Sequence, residues 1–301
     1  MHYDPIKLRL SRLLGRSRLL RRLFFLGLNT LFLRSWYVRR ELKRIVDCRL
    51  KIEDLKRVSP CPANPQSAIC NLQFLDAGMG FGQYSDWMLR SFRGAQLVGL
   101  EIDRAHFYGG EDYFRRVHPA SRLIVGDVQG LPLADRKLDL VLTVDVMEHV
   151  ADDRAAFAEF QRVLKPGGFL VMHTPRVRDG KAAPPLSPPG NRGGESEGWR
   201  VGEHIRDGYK DEEAQHRLEE AGFEVVRLVR GYGAAGRFAW MLLQKIPMSL
   251  MTKGRALLLP AALFIIIGLP LALAAMWLDF ARGDHNDGGS LLMVARRPAE
   301  A

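Results

Sequence analysis

From Phe74 to Gly82 the chain reads Phe-Leu-Asp-Ala-Gly-Met-Gly-Phe-Gly, an apolar run that ends on a carboxylate and opens into three alternating glycines. Glycine takes positive φ without a Cβ penalty and lets the backbone approach a bound group closely. A helix starting after such a turn also has free N–H donors at its first residues. This is the chemistry of holding a nucleotide-like ligand. Acidic residues recur where later apolar runs end: Glu101, Asp127 and Asp145. Glu148 and His149 follow Asp145, His173 closes another apolar run, and Glu203-His204-Ile205-Arg206-Asp207-Gly208-Tyr209 gathers several polar side chains. Carboxylates and imidazoles in a cleft can take a proton from an oxygen nucleophile, with His149 first and His204 second among the candidates. Arg206 is suited to pairing with an anion and Tyr209 to donating to it. For each of these residues a helix cap or a core hydrogen bond is the competing role.

Side chains so far apart in sequence need a scaffold that brings strand ends together. From Leu72 onward, strand and helix signals alternate. Strands are expected at Leu72–Asp76, Gln96–Glu101, Leu123–Gly126, Leu138–Val144, Phe169–His173, Phe223–Val229 and Ser290–Arg296. Helices are expected at Tyr84–Phe92, Arg104–Val117, Asp152–Leu164 and Asp211–Ala221, with Asp152 or Asp153 as an N-cap. Such alternation implies a mostly parallel, doubly wound sheet with helices on both faces. Residues 176–200, rich in Pro, Gly and Ser, form a long loop beside the expected ligand crevice, either a lid or an inert insertion.

The glycine loop, Glu101, Asp127, the run Leu138–Val150, the Arg162–Gly168 stretch (RVLKPGG) and Ala221-Gly222-Phe223 together resemble the class I S-adenosylmethionine-dependent methyltransferases. The resemblance covers Leu72 to about Val229 plus the final strand and implies a Rossmann-like fold with S-adenosylmethionine as cofactor. It places Gly78, Met79, Gly80 and Gly82 around the methionine part, with Asp76 organising the loop. It places Glu101 on the ribose hydroxyls beside Ile102, Asp127 and Val128 at the adenine, and Asp145 near the sulfonium. The rival is a nicotinamide-binding fold, but Gln83 stands where that fingerprint wants a small residue.

The net charge of +10 is confined to one segment: residues 1–57 hold 16 Lys and Arg against 5 Asp and Glu, and the remainder is close to neutral. Leucines and arginines interleave there, which reads as a basic amphipathic helical arm on an anionic membrane surface; a helix packed on the core with a solvated basic face is the alternative. Ala256–Leu278 is 23 residues long without a charge. Strands flank it on both sides, so one crossing of a bilayer would separate two strands of one sheet. A helical hairpin dipping into one leaflet, with Gly268-Leu269-Pro270 near the middle of the run, resolves the conflict; an interfacial helix pair and a buried helical subdomain are the alternatives. The organisation is therefore an arm (1–57), a catalytic core (58–232), an apolar membrane-associated insertion (233–285), and a last strand and tail (286–301). Membrane contact is expected through residues 1–40 and 238–278. Cys48, Cys61 and Cys70 fit no metal-ligand spacing and read as reduced thiols, so no metal site is expected. The expected function is a methyltransferase at the cytoplasmic face of a membrane, acting on a lipid-like or other small-molecule acceptor. A soluble cytoplasmic enzyme, an RNA methyltransferase and a non-catalytic cofactor-binding scaffold are the alternatives. No nucleic-acid-binding module accompanies the arm, so a nucleic-acid partner is not expected.

Overall fold

The computed structural model describes residues 14, 17–56, 72–178 apart from 93 and 108, 181–182, 205–253 and 257–299. Seven strands form one sheet: β1 (Gln73–Ala77), β2 (Gln96–Glu101), β3 (Arg122–Val125), β4 (Leu138–Val144), β5 (Leu164–Pro175), β6 (Glu224–Gly231) and β7 (Ser290–Arg296). Their order is β3-β2-β1-β4-β5-β7-β6. The first five run parallel, and β7 lies antiparallel between β5 and β6. The central strand β4 (LDLVLTV) is buried along almost its whole length, as a strand covered on both faces must be.

Alternation along the strands sends side chains to two cores. Phe74, Leu140 and Leu292 face one cluster, built with Phe25, Tyr37, Phe114 and Trp240; Leu75, Val141 and Met293 face the other, built with Phe157, Phe160 and Leu218. Helices α3 (Gln83–Ser91), α4 (Gly110–Val117), α5 (Asp153–Val163) and α6 (Asp211–Glu220) lie where helices were expected, with shifted limits. Asp152 caps α5, its Oδ1 accepting from Ala155 N at 3.0 Å. The single helix expected over Arg104–Val117 is instead a short 3-10 turn (Arg104–Phe107) followed by α4, because Gly109 takes a left-handed φ of 67° and redirects the chain.

The arm forms two helices, α1 (Arg18–Leu31) and α2 (Leu33–Lys56), broken at the extended Phe32. Of the two roles weighed for it, the described residues show packing on the core. Arg21, Phe25, Leu33, Ser35, Tyr37, Val38 and Leu42 are buried. Arg39 Nη2 donates to Asn29 O and Arg40 Nη1 to Phe280 O, so these guanidiniums are engaged within the protein. Leu19, Leu20, Leu23 and Leu26 nonetheless point outward, beside the exposed Arg18 and Arg22.

The insertion between β6 and β7 goes out through α7 (Ala234–Trp240), a π-helical turn and α8 (Ile246–Lys253), and returns through α9 (Leu258–Arg282). A bend at Gly268–Pro270 does not occur. The helix runs through Pro270, which is exposed, and the outgoing helix α8 that packs beside it ends at Lys253. At 25 residues α9 is roughly 37 Å long. Its narrow buried stripe includes Ala261, Ala272, Met276 and Asp279, while Leu259, Leu263, Ile266, Ile267, Leu271 and Trp277 are exposed.

Asp279 joins these pieces. Its Oδ1 accepts from Tyr37 Oη of the arm at 2.8 Å, its Oδ2 accepts from Gly236 N at the hairpin's entry at 2.8 Å, and His285 Nε2 lies 3.3 Å away at the exit. Gly236 cannot carry a side chain, since a Cβ there would sit 2.7 Å from Asp279 Oδ2. Removing a buried carboxylate strands its donors at about 1–3 kcal/mol each. Asp279→Ala is therefore expected to lower stability by roughly 2–4 kcal/mol. Urea unfolding followed by circular dichroism measures this, and a variant of wild-type stability would show that the carboxylate does not hold the arm and hairpin together.

Candidate active site

The site is built at the carboxyl ends of β1, β2, β4 and β5. After β1 the chain turns through Gly78, Gly80 and Gly82, all with positive φ (77°, 56° and 84°). Gly78 N and Met79 N both donate to Leu100 O, at 2.9 and 3.1 Å, which pins the loop to the end of β2. A Cβ on Gly78 would lie 2.1 Å from Val146 Cγ2, and one on Gly82 2.5 Å from Phe114 Cε2. Gly80 meets nothing within 4 Å, so the loop faces open space at that residue alone of the three. Glu101 is buried at the end of β2, with Oε1 accepting from Gly80 N at 2.5 Å. Asp76 is buried beneath the loop and accepts from Ser85 Oγ at 2.5 Å; burial outweighs these hydrogen bonds and raises its carboxyl to about 6.

The other expected cofactor residues fall around the same edge. Met79 packs inward against Gly99 and Gly82, Val128 is buried, and Ile102 is exposed. Asp127 stands after β3 with both carboxylate oxygens 2.9 Å from donors of Gln129, one the backbone N and one the side-chain Nε2. That is the turn-capping role, and it leaves the carboxylate at the same sheet edge as Glu101.

Asp145 follows β4 in the left-handed region at φ 54°, which its short polar side chain tolerates. His173 Nδ1 lies 2.7 Å from Asp145 Oδ1; an ionised carboxylate only accepts, so Nδ1 carries the proton, and Nε2 is buried without a partner. The other oxygen of Asp145 takes a hydrogen bond from Arg34 Nη1, delivered by the arm. Burial opposes ionisation of Asp145, but Arg34 and then His173 overcome it and hold the carboxyl well below its usual range. Burial likewise opposes the Arg34 charge, which Asp145 secures. Arg34 N also donates to Tyr232 Oη at 3.2 Å, and Ser35 Oγ and Tyr84 Oη are 3.2 Å apart. Phe24 stacks edge-on against Phe81 of the glycine loop, with centroids 5.0 Å apart. The arm thus forms one wall of the site. Arg34 is the residue sequence reasoning missed, although a lone cation within Leu31–Val38 was its visible signal.

Two expected acceptor contacts are corrected. Tyr209 is fully buried and donates to Asp153 Oδ2 at 2.9 Å. Arg206 pairs with Asp153 through Nη1 and donates to Val150 O at 3.1 Å through Nη2. Arg217 Nη1 completes the network on Asp153 Oδ1 at 3.1 Å. These side chains brace the turn Met147–His149 from behind, because the first-turn carboxylate of α5 is their partner. His149 on that turn is exposed, and His204 lies outside the described residues, as does most of the 176–200 loop. Among the described residues, no group of three metal-ligating side chains comes together.

Glu148 is buried beside Asp145 and accepts from Thr174 Oγ1 at 3.2 Å. Burial, reinforced by the Asp145 charge, raises its carboxyl to about 8, so it holds a proton at neutral pH. A protonated acid is a poor general base.

Residues 75–172 match the family model described as a methyltransferase domain. The malonyl-(acyl-carrier protein) O-methyltransferase of Yersinia pestis is 33% identical over 101 residues, which cover 33% of this chain and 35% of that protein. The fatty-acid O-methyltransferase of Mycolicibacterium smegmatis is 30% identical over 115 residues, covering 38% and 40% respectively. The chain therefore spans well under half the length of these curated relatives. A putative sarcosine dimethylglycine methyltransferase from Galdieria sulphuraria superposes with a TM-score of 0.51 at 17% identity, covering 87% of this chain and 89% of that one, and shows the shared fold. Residues 75–172 are a class I S-adenosylmethionine-dependent methyltransferase domain. Its residues fit the cofactor, with a bare glycine backbone facing open space beside the Glu101 carboxylate.

The raised Glu148 has a consequence for stability. An unfolded glutamate loses its proton near 4.5, whereas the folded one keeps it to about 8. Between these limits the folded chain binds more protons than the unfolded, so this residue's contribution falls as pH rises through the window and levels off above it. Glu148→Gln stays neutral and is expected to be more stable than wild type at about pH 8.5, with the gap closing towards about pH 4.5. Urea midpoints of both proteins across that range measure it; a pH-independent gap would refute the assignment.

Proposed function

We propose that this protein transfers a methyl group from S-adenosylmethionine to a small apolar, lipid-like acceptor at a membrane surface. The observation that carries methyl transfer is the cradle of Gly78, Gly80 and Glu101 at the carboxyl edge of the sheet. When bound, S-adenosylmethionine supplies an electrophilic methyl group on a positively charged sulfur. The residues of this chain hold and orient: Glu101 is placed to accept hydrogen bonds from hydroxyls, Asp76 fixes the loop, and the arm excludes water through Phe24 and Phe81. Positioning of this kind can account for roughly 7–11 kcal/mol of a displacement barrier.

The lipid-like acceptor is supported by two features. The relatives' names specify O-methyl transfer to a malonyl-carrier protein and to a fatty acid. In helix α9 of the hairpin an 18-residue window has mean hydropathy 2.4, and only 17% of that window is buried within the protein. Both ends of that hairpin attach to adjacent strands of one sheet, which favours a monotopic insertion on the same side as the active site. The outward leucines of α1 beside Arg18 and Arg22 suit an anionic surface, where each basic residue adds about 1 kcal/mol. Arg34, Arg39 and Arg40 are engaged inside the protein, so an RNA partner would find fewer phosphate contacts on this arm than its sequence offers.

Calorimetric titration with S-adenosylhomocysteine tests the cofactor reading: micromolar binding is expected, and Glu101→Ala is expected to weaken it at least about tenfold, a loss of 1.4 kcal/mol or more. A well-folded wild type that does not bind would remove the methyltransferase assignment. Flotation with phosphatidylglycerol vesicles tests the membrane part; the full chain is expected to float, and to float less after Leu19, Leu23 and Leu26 are replaced by Ser. A chain that stays with the soluble fraction would count against it.

A further inference from the structure

One side of α9 is bare and apolar along its whole length. Leu259, Leu263, Ile267, Leu271, Ala274 and Leu278 recur every three or four residues and are all exposed, so they fall on about a third of the helix circumference. From Leu259 to Leu278 the stripe is roughly 28 Å long. On the opposite side Ala272, Met276 and Asp279 are buried, Tyr37 Oη donates to Asp279 Oδ1, and Arg40 Nη1 donates to Phe280 O. The body of the domain therefore backs the second half of the helix, while the stripe in front of it stays uncovered. The hairpin also has a charge pattern of its own. Residues 234–282 hold five basic residues, Arg237, Lys245, Lys253, Arg255 and Arg282, against one acid, Asp279, which is buried and bonded to Tyr37 and Gly236. The cations are spread along the hairpin instead of gathered at its base. Lys245 is exposed partway out, α8 ends on Lys253, and Arg282 is exposed where α9 returns to the sheet.

Resting on the membrane part of the proposed function, we infer that α9 lies lengthwise in the surface of an anionic bilayer, sunk along its stripe and not inserted end-on. A hairpin pushed in end-on would carry Lys253 deepest and Lys245 partway, and a cation within the hydrocarbon is costly. It would also stop short, because the domain body behind Ala272, Met276 and Asp279 blocks further entry and leaves Trp277 and Leu278 in water. The stripe is about twice as long as one leaflet is deep, since the whole hydrocarbon core measures about 30 Å. Lying flat answers each of these points. The stripe sinks below the headgroups as the apolar face of an interfacial helix does, and Lys245 and Arg282 are long enough to reach lipid phosphates from beside it. An apolar stripe alone would suit a protein partner equally; the basic residues around it, with their one acid turned inward, select an anionic lipid surface. Both ends of the hairpin leave the sheet at its carboxyl edge, where Gly231 and Pro175 each pair with Ser290. Asp145, at the end of β4, is two strands from β7, about 10 Å. A flat α9 thus keeps the edge that carries the active site beside the membrane that would supply the acceptor.

The test places one nitroxide label at a time along the stripe. In the full chain with Cys48, Cys61 and Cys70 replaced by Ser, the labelled positions are Leu259→Cys, Ile267→Cys and Leu278→Cys. Glu212→Cys, exposed on α6 against the other face of the sheet, is the control. Depth is read by power saturation of the electron paramagnetic resonance signal on vesicles of phosphatidylcholine and phosphatidylglycerol. The three stripe labels are expected within about 5 Å of one another in depth and roughly 5–10 Å below the headgroups, with the control in water. A depth that increases from position 278 to position 259 by more than about 15 Å means end-on insertion, and overturns the inference while membrane binding stands. Stripe labels as wet as the control on bound vesicles also overturn it, as does spin–spin broadening between copies, the mark of a stripe buried in a dimer. Replacing both cations, Lys245→Glu with Arg282→Glu, is expected to weaken binding to phosphatidylglycerol vesicles at least about tenfold and to pure phosphatidylcholine by less than about twofold. An equal loss on both lipids refutes the anionic surface. A chain that binds no vesicles refutes the membrane part of the proposed function as well, and titration with S-adenosylhomocysteine, which needs no membrane, reports separately on methyl transfer.

Discussion

A guanidinium carried by the N-terminal arm ends on a carboxylate at the carboxyl edge of the sheet, and much of the site follows from that pairing. Arg34 and Asp145 are both largely withdrawn from water, and removing either alone would leave an uncompensated charge costing about 3–5 kcal/mol. The pair therefore fixes where the arm can sit. Once Arg34 is placed, Ser35 falls against Tyr84 and the backbone of Arg34 against Tyr232. Phe24 and Phe25, a few turns earlier, reach Phe81 and Tyr113. The same carboxylate orients His173 and, by its charge, discourages Glu148 from ionising. One ion pair so closes the roof of the site and sets the protonation of its floor. It does not make the fold more stable than an apolar contact of equal size would, since desolvation takes back much of the Coulomb gain. What it supplies is a unique position.

The sheet was legible in the sequence because its cause is local. Apolar runs of β-branched and leucine residues bounded by Gly and Asp gave six of the seven strands to within about two residues, and β7 in full; β5 alone was placed short, its Lys165–Gly168 turn belonging to the strand. The glycine loop was legible for the same reason: positive φ at Gly78, Gly80 and Gly82 needs those residues whatever surrounds them. The site wall was not legible. Arg34 meets a partner 111 residues away, and a composition count records it only as one of sixteen basic residues in the arm. Arg206 and Tyr209 had the right chemistry for an acceptor site, but Asp153 was closer, and nothing in their own segment says so. Tyr232 carries a bulky side chain at φ 59°, a conformation its sequence gives no warning of.

The hairpin shows how topology disciplines a composition signal. A run of 23 uncharged residues reads as a membrane span by length alone. Its two ends must return to adjacent strands β6 and β7, so one crossing is forbidden. The proline and glycine in the middle of the run invited a bend there, yet α9 continues as one helix through them, with Met276 in the same buried cluster as Trp240 and Asp279 bonded to Gly236. Twenty residues of helix go out and twenty-five come back. The outward path, not the apolar run itself, supplies the second arm of the hairpin. Composition identified the apolar element; connectivity decided its shape.

Charge arrangement then constrains what the site can accept. Burial makes net charge around Asp145 expensive, and its immediate neighbours leave little of it: Arg34 and Asp145 cancel, and Glu148 is neutral at pH 7. An acceptor that had to be deprotonated in place would need a buried group to take up its proton. Glu148 is already full, and Asp145 could accept one only by abandoning Arg34. With the Nδ1 proton hydrogen-bonded to Asp145, the buried Nε2 of His173 is the nitrogen left to accept. The carboxylate that anchors the arm therefore also fixes the tautomer of the imidazole beside it, so the position of the arm and the acid–base character of the site have one cause.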